Sequence, residues 1–462
     1  MVYFWTIIAY LMILIAVGAY RSKQVKNQDD FMVAGRRLSA KVLVGTLLAT
    51  WIGSGSIIAS AGLAYYKGFS ALWVDAGVWA AIIILFLNAG RVRKFAQYTV
   101  PDILEARYNA AARVLGTIVT VIAYTAIVSY QFRAGGMVLN LVTGISIDQG
   151  IIITAVFVIG YTVLAGMISV AYTDVINGII MVIGLIVALP FLLSNAGGWD
   201  SVISRLPETH FQPLGGLSLL QAAGYALPTM LLLLGESGMY QRFFSARDEN
   251  TARRSVVGWI IGTIIIETLI VVLAVIGSAL FADIDPEMVI LQSVRYGLPA
   301  LIGCLTLAAI VAVIVSTADS FLLVPSTNLI RDIYQRFINP EASQKQIVLY
   351  SRIVVVGLGV IAFIQVRFFE KILEMAIYAY TMYGVGITPA VMAAFFWKRA
   401  TAAGGVAAIG SGMIITILWE VLGQPFEIPT VYPALIVSLL LLIGVSLLTP
   451  KPVEEKWQQF CK

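Results

Sequence analysis

Long apolar runs separated by short polar clusters fill almost the whole chain. A helix needs roughly 20 mostly apolar residues to cross about 30 Å of hydrocarbon. On that rule the pattern predicts thirteen membrane-spanning helices, near 2–20, 42–66, 70–90, 114–140, 149–166, 174–194, 218–240, 255–281, 298–324, 349–366, 373–396, 402–420 and 430–448. The fifth is short, and a break is expected before the sixth, at ISVAYTD. Two runs are interrupted from within. ATWIGSGSIIASAG, residues 49–62, carries three glycines and three serines, and LLLLGESGMYQR, residues 231–242, carries Gly235, Ser237 and Gly238. Each glycine weakens a helix by about 1 kcal/mol relative to alanine. Carbonyls freed at membrane depth are tolerated only around a cavity or an ion, although close helix packing also uses small residues. The interrupted helices are the second and seventh spans. If spans two to six and seven to eleven are repeats, the breaks fall in register. Because five is odd, the two halves have opposite topology, an inverted repeat of the LeuT type.

Composition agrees with a membrane solvent. Of 462 residues 60% are hydrophobic and 12% charged, against about 25% charged in soluble domains. The first apolar run has no basic residue ahead of it and no cleavage signature, so it is expected to be a retained span. One side of the predicted membrane receives 24 of the 30 basic residues, the other five, with Arg133 inside a span. That asymmetry places the rich side in the cytoplasm of the plasma (inner) membrane, with the amino terminus outside and the carboxyl terminus inside. The net charge of +5 then reflects topology and not nucleic-acid binding. The organisation expected is a first span and loop (1–41), one five-helix repeat (42–195), an outside loop with the second repeat (196–400), and two peripheral spans with a tail (401–462). Cys304 and Cys461 lie in unlike settings and pair with nothing readable. The single histidine, His210, is expected at the surface of a polar loop, which removes support for zinc or triad chemistry.

Charges inside spans mark cavities or partners; here they are Asp75, Arg133, Glu236, Glu267, Asp319, Glu374 and Glu420. Glu267, Glu374 and Glu420 read as structural or interfacial. Arg133, in SYQFRAGG beside Gln131, reads either as a buried ion pair with Glu236 or Asp75 or as a fork for a substrate carboxylate. In the ninth span, Ser316, Asp319 and Ser320 share one helical face, a donor set suited to a hard cation.

Several stretches, in order, resemble the sodium–solute symporter family: DDFMVAGRRLS, ATWIGSGSIIASAG, VPDILEARY, AGMISVAYTDVINGIIMVIG, YQRFFSARD and STADSFLLVPSTNLIRDIY. ATWIG, SVAYTDV and STADS look most like the branch containing choline transporters. The resemblance implies a Na⁺ site formed by the carbonyls of Ala49, Ile52 and Val313 with the hydroxyls of Ser316 and Thr317. It also implies a second cation or proton position at Asp174, Asp319 and Ser320, where Asp319 replaces the family's hydroxyl. Glu236 stands where the choline branch has tryptophan, and sialic-acid relatives use a fourth-span arginine, which favours an acidic or amino-acid solute. The expected solute contacts are Ser54, Ser56, Trp73, Asp75, Gln131, Arg133, Glu236 and Tyr383. The function implied is Na⁺-coupled import of a small organic solute by alternating access, without enzymatic chemistry; a monomer is compatible with it. Rival readings are a proton-coupled or uncoupled carrier on the same fold, and a solute-sensing receptor.

Overall fold

The computed structural model describes residues 2–22, 28–95, 99–164 and 167–460. Lys23, Lys26, Cys461 and Lys462 lie outside these residues. Every regular element among the described residues is a helix, apart from one isolated bridge between Leu38 and Ala246. Eleven helical stretches are long and apolar enough to cross a membrane, and the helices that begin at Val2 and Ala40 are apolar but shorter.

The predicted spans correspond in order to helical stretches. Span one is Val2–Ser22; span two is Ala40–Trp51 continued by Gly55–Ser60 and Ala61–Lys67; span three is Leu72–Phe95. Span four is Ala110–Thr143, span five Ile147–Leu164 and span six Met167–Asn195. Span seven is Leu219–Gly235 continued by Ser237–Ser245, and span eight is Glu249–Leu280. Span nine, Ala300–Asn328, runs on into a wide-turn segment, Leu329–Ile338. Spans ten to thirteen are Gln344–Gln365, Ile372–Phe396, Ala402–Val421 and Val431–Leu448.

One boundary departs from expectation. The sixth helix already holds at Met167, so ISVAYTD is helical and Asp174 sits inside a span. Thr173 contributes to this continuity by returning its hydroxyl to the Val170 carbonyl, so the polar residues there do not break the ladder.

The second and seventh helices break in the same way. Ile52 and Glu236 each leave helical geometry for an extended conformation, with ψ of 106° and 114°. Span four holds both restarts: Ser54 N–H donates to Gln131 Oε1 at 3.2 Å, and Ser237 N–H donates to Tyr124 Oη at 2.9 Å. Gln131 and Tyr124 are two helical turns apart and so share a face.

His210 is not at the surface; it is 6% exposed, and its Nε2 lies 3.1 Å from the Tyr65 carbonyl. The reason is the close approach of Gly68, whose φ is +57° and where a Cβ would fall 2.1 Å from the His210 carbonyl oxygen. Close approach also joins span three to span seven. A Cβ at Gly77 would lie 2.0 Å from the Ala226 carbonyl oxygen, and backbone cannot step aside as a side chain does. Gly77→Ala is expected to cost about 1–3 kcal/mol, read as a lower thermal midpoint in detergent. An unchanged midpoint would mean that these helices have slack.

Candidate functional site: a break in span two facing span nine

Because Ile52 turns out of the helix, no backbone N–H outside the helices donates to the Ala49 or Ile52 carbonyl among the described residues. Two side chains from span nine meet these oxygens. Ser316 Oγ is 3.2 Å from Ala49 O, and Thr317 Oγ1 is 3.3 Å from both Ala49 O and Ile52 O. Gly53 is required here, since a Cβ would sit 2.9 Å from Thr317 Oγ1. Val313 lies one turn before Thr317 on the same buried face. Four oxygens from two helices thus converge in a buried place, two of them carbonyls without a backbone donor. Neutral oxygen donors suit a hard monovalent cation, so this donor set fits Na⁺.

Beside it lies a polar hub centred on Arg242, whose side chain is fully buried. Its guanidinium donates to Thr46 Oγ1 at 3.0 Å, Gly238 O at 3.1 Å and Ser320 Oγ at 2.8 Å, and pairs with Asp174 at 3.5 Å. Asp174 also accepts from Thr46 at 2.5 Å and from Ser316, and Thr50 shares a hydrogen bond with Ser320. Arg242 and Thr50 thus bridge Asp174 and Ser320. Asp319 is buried nearby, facing Thr162, and its Oδ1 has no hydrogen-bond partner. Sequence reasoning missed Arg242. It lies within the half-helix Ser237–Ser245 but beyond the expected end of span seven at residue 240, where it reads as one more basic loop residue.

The expected solute contacts divide into four places. Ser56 and Asp75 line a narrow pocket beside the break, together with Trp51, Thr229, Glu267 and Tyr380. Ser54 and Gln131 pin the restart of span two, and Ser54 Oγ and Gln131 Nε2 have no hydrogen-bond partner. Glu236 and Tyr383 hold the other break. Glu236 accepts from Gly238 N–H at 2.9 Å, Met239 N–H at 2.5 Å and the Tyr124 hydroxyl, capping its half-helix. Tyr383 Oη donates to Gly235 O at 2.7 Å and accepts from Ser237 N–H at 3.0 Å. The fourth place is outside the pocket. The Trp73 indole donates to the Pro213 carbonyl at 3.0 Å, anchoring the loop before span seven.

Arg133 also stands apart. It lines a separate cavity of about 250 Å³ with Asp148, Arg367 and Glu370. It forms no ion pair with Glu236 or Asp75 among the described residues, which overturns the expected ion pair, and it does not line the pocket beside the break. Conversely, Glu267 was expected to be merely structural, yet it lies on the pocket wall. It accepts the Trp51 indole N–H at 2.9 Å and the Trp79 indole N–H at 2.7 Å. Glu374 and Glu420 do behave as interfacial groups, Glu374 beside Lys371 and Glu420 bonded to Thr430.

Comparison with known proteins identifies the class to which this geometry belongs. Solved structures share the fold. A Na⁺-coupled sialic acid symporter, solved substrate-bound and outward-open, superposes with a TM-score of 0.83 at 19% identity, covering 98% of each chain. A nucleobase-cation-symport-1 family transporter gives 0.65 at 13% identity, covering 94% of this chain and 99% of the other. MhsT in complex with L-phenylalanine gives 0.58 at 17% identity, covering 89% and 99%. The fold is thus the LeuT type. Sodium/proline symporters of Staphylococcus aureus, strains JH9 and MW2, are each 28% identical over 476 aligned positions, spanning 96% of this chain and 92% of theirs. The sodium:solute symporter family model matches residues 31–415. The chain belongs to the sodium:solute symporter family and is a sodium-coupled membrane transporter of a small solute, not an enzyme.

Proposed function

We propose that this transporter imports a small organic solute, of amino-acid size, by alternating access driven by Na⁺. The observation that carries the reading is the meeting of Ser316 and Thr317 with the freed carbonyls of Ala49 and Ile52. Na⁺ held by these groups and the Val313 carbonyl ties the break in span two to span nine. Fixing that break also fixes Ser56 and Trp51, which lie on the pocket wall. Ion binding thereby raises affinity for the solute, and the same coupling must run in reverse.

Residues 42–195 and 196–400 act as the two repeats, and 401–462 as a peripheral pair of spans with a tail. The basic-rich side faces the cytoplasm, with the amino terminus outside, so the interior-negative membrane potential pulls Na⁺ inward. One charge crossing 100 mV supplies about 2.3 kcal/mol, close to 50-fold accumulation per ion. Asp174 belongs to the Arg242 hub and shapes the ion exit. Asp319, with one unpartnered oxygen, favours a second reading in which a proton or second cation accompanies the first.

Proteoliposomes with imposed gradients test the coupling. Uptake of amino acids should require inward Na⁺, and uptake driven equally by a pH gradient without Na⁺ would replace Na⁺ coupling with proton coupling. Thr317→Ala removes an oxygen donor that meets two carbonyls at once. It is expected to raise the Na⁺ concentration needed for half-maximal thermal stabilisation by about tenfold or more, the equivalent of one lost ligand at about 1.4 kcal/mol. Unaltered Na⁺ dependence would remove Thr317 from the site.

A further inference from the structure

Two carboxylates and no basic side chain line the pocket beside the break. Asp75 and Glu267 are 2% and 1% exposed. Neither carboxylate takes part in an ion pair among the described residues. Buried charges are retained only when a partner offsets their desolvation. Glu267 has part of that partner in two indole N–H donors, from Trp51 and Trp79, which suit an ionised acceptor. Asp75 does not: its Oδ2 is buried and lacks any hydrogen-bond donor. A group that brings both positive charge and a hydrogen to donate would satisfy Asp75 Oδ2 and offset both carboxylates.

The rest of the wall says what carries that charge. Trp51 and Tyr380 lie with ring centroids 6.3 Å apart and planes inclined by 31°. Aromatic faces attract organic cations, whereas a bare metal ion would call for more oxygen donors than Ser56 and Thr229 add. Thr229 moreover already donates to the Val74 carbonyl at 2.7 Å. Free space in the narrow pocket is about 10 Å³, close to the minimum for one water. The first turns of span eleven, with Leu373, Ala376 and Ile377, form part of the wall, so this segment must move for a solute to enter.

We infer that the transported solute bears a protonated, N–H-carrying amine, which donates to Asp75 Oδ2 and places its charge between Asp75, Glu267 and the Trp51 and Tyr380 rings. This rests on the proposed Na⁺-coupled transport and names the solute class of the same pocket. It excludes simple anions, and it disfavours quaternary ammonium, which has no hydrogen to give Asp75.

The test uses the whole transporter in lipid nanodiscs with saturating Na⁺, and reads intrinsic tryptophan fluorescence and thermal midpoint. Probes are matched sets: methylammonium, pyrrolidinium, L-proline and L-alanine as N–H cations; tetramethylammonium and choline as quaternary cations; tetrahydrofuran-2-carboxylate, lactate and N-acetyl-L-proline as analogues without an ammonium. At least one N–H cation should bind, at least tenfold more tightly than its quaternary or uncharged-nitrogen counterpart. Asp75→Asn and Glu267→Gln should each weaken that binding about 30-fold or more, as truncation of one partner of a buried charge pair does. Stabilisation by Na⁺ alone should persist in both variants, which shows that they fold. Preference for the quaternary or ammonium-free probes, binding of no probe, or full affinity in both variants overturns the amine assignment. Loss of Na⁺ stabilisation in the unmodified protein would instead remove the Na⁺-coupled reading.

Discussion

Arg242→Leu is expected to abolish Na⁺-dependent uptake and to lower stability by about 3–5 kcal/mol, the usual consequence of stripping one partner from a buried ion pair. The guanidinium ties its own half-helix to three other elements. Thr46 lies on the first half of span two, Asp174 on span six, Gly238 on the second half of span seven and Ser320 on span nine. Leucine fills much of the volume but leaves Asp174 with hydroxyl donors alone, from Thr46 and Ser316. The two broken helices would also lose a shared fastener beside the Na⁺ ligands. The cause can be separated from mere packing by the pair Arg242→Leu with Asp174→Asn. Removing both charges should recover part of the lost thermal midpoint, a coupling of about 0.5–3 kcal/mol. Arg242→Lys retains the charge but not the fork, and should fold while transporting poorly. Additive losses in the double variant would mean that the pair is not the basis of the effect.

Sequence alone revealed the helices because lipid imposes a single length and polarity on every span. The two breaks were legible because glycine and serine clusters interrupt apolar runs at corresponding places in the two halves, where helix packing alone would not call for register. Ser316 and Thr317 followed from a resemblance carried by contiguous motifs. The solute pocket was harder to read. Glu267 and Trp51 are more than two hundred residues apart, and only folding brings the indole to the carboxylate. Arg133 misled because its local surroundings, Gln131 and two glycines, look like a binding site. Periodicity explains the separation: Gln131 faces the break in span two, whereas Arg133, two positions on and 200° around the helix, faces another cavity. Glu236 misled for a related reason, since a carboxylate at a helix break serves equally well as a cap for the restarting turn. In a LeuT-type fold a polar group at mid-membrane can hold solute, ion or backbone, and sequence spacing does not distinguish them.

A second ion network carries the second large effect. On the basic-rich side, Arg113 of span four gathers three carboxylates: Asp102, Glu105 at 2.8 Å and Asp332 at 3.6 Å. Arg336 pairs with Glu105 at 2.8 Å and Arg331 with Asp102 at 3.8 Å. Thr99 and Thr117 donate to the two oxygens of Asp332. This network joins the short helix Val100–Arg107, span four and the wide-turn end of span nine. In the proposed orientation and alternating-access cycle these elements lie on the cytoplasmic side, and the network would weight the equilibrium against inward opening. Arg113→Met preserves the apolar stem and removes the charge that the three carboxylates share. A loss of about 3 kcal/mol from the closed side would shift the ratio of closed to inward-open forms by roughly 150-fold. Hydrogen–deuterium exchange reads this directly. Amides in 99–117 and 328–338 should exchange much faster in the variant, with those of spans twelve and thirteen unaltered as an internal reference. Solute accumulation should fall as well, because a transporter resting open to the cytoplasm returns less often to load. Exchange that is unchanged at 99–117 would show that packing, not charge, closes this side. Exchange that rises everywhere would mark Arg113 as a folding residue and not a gate.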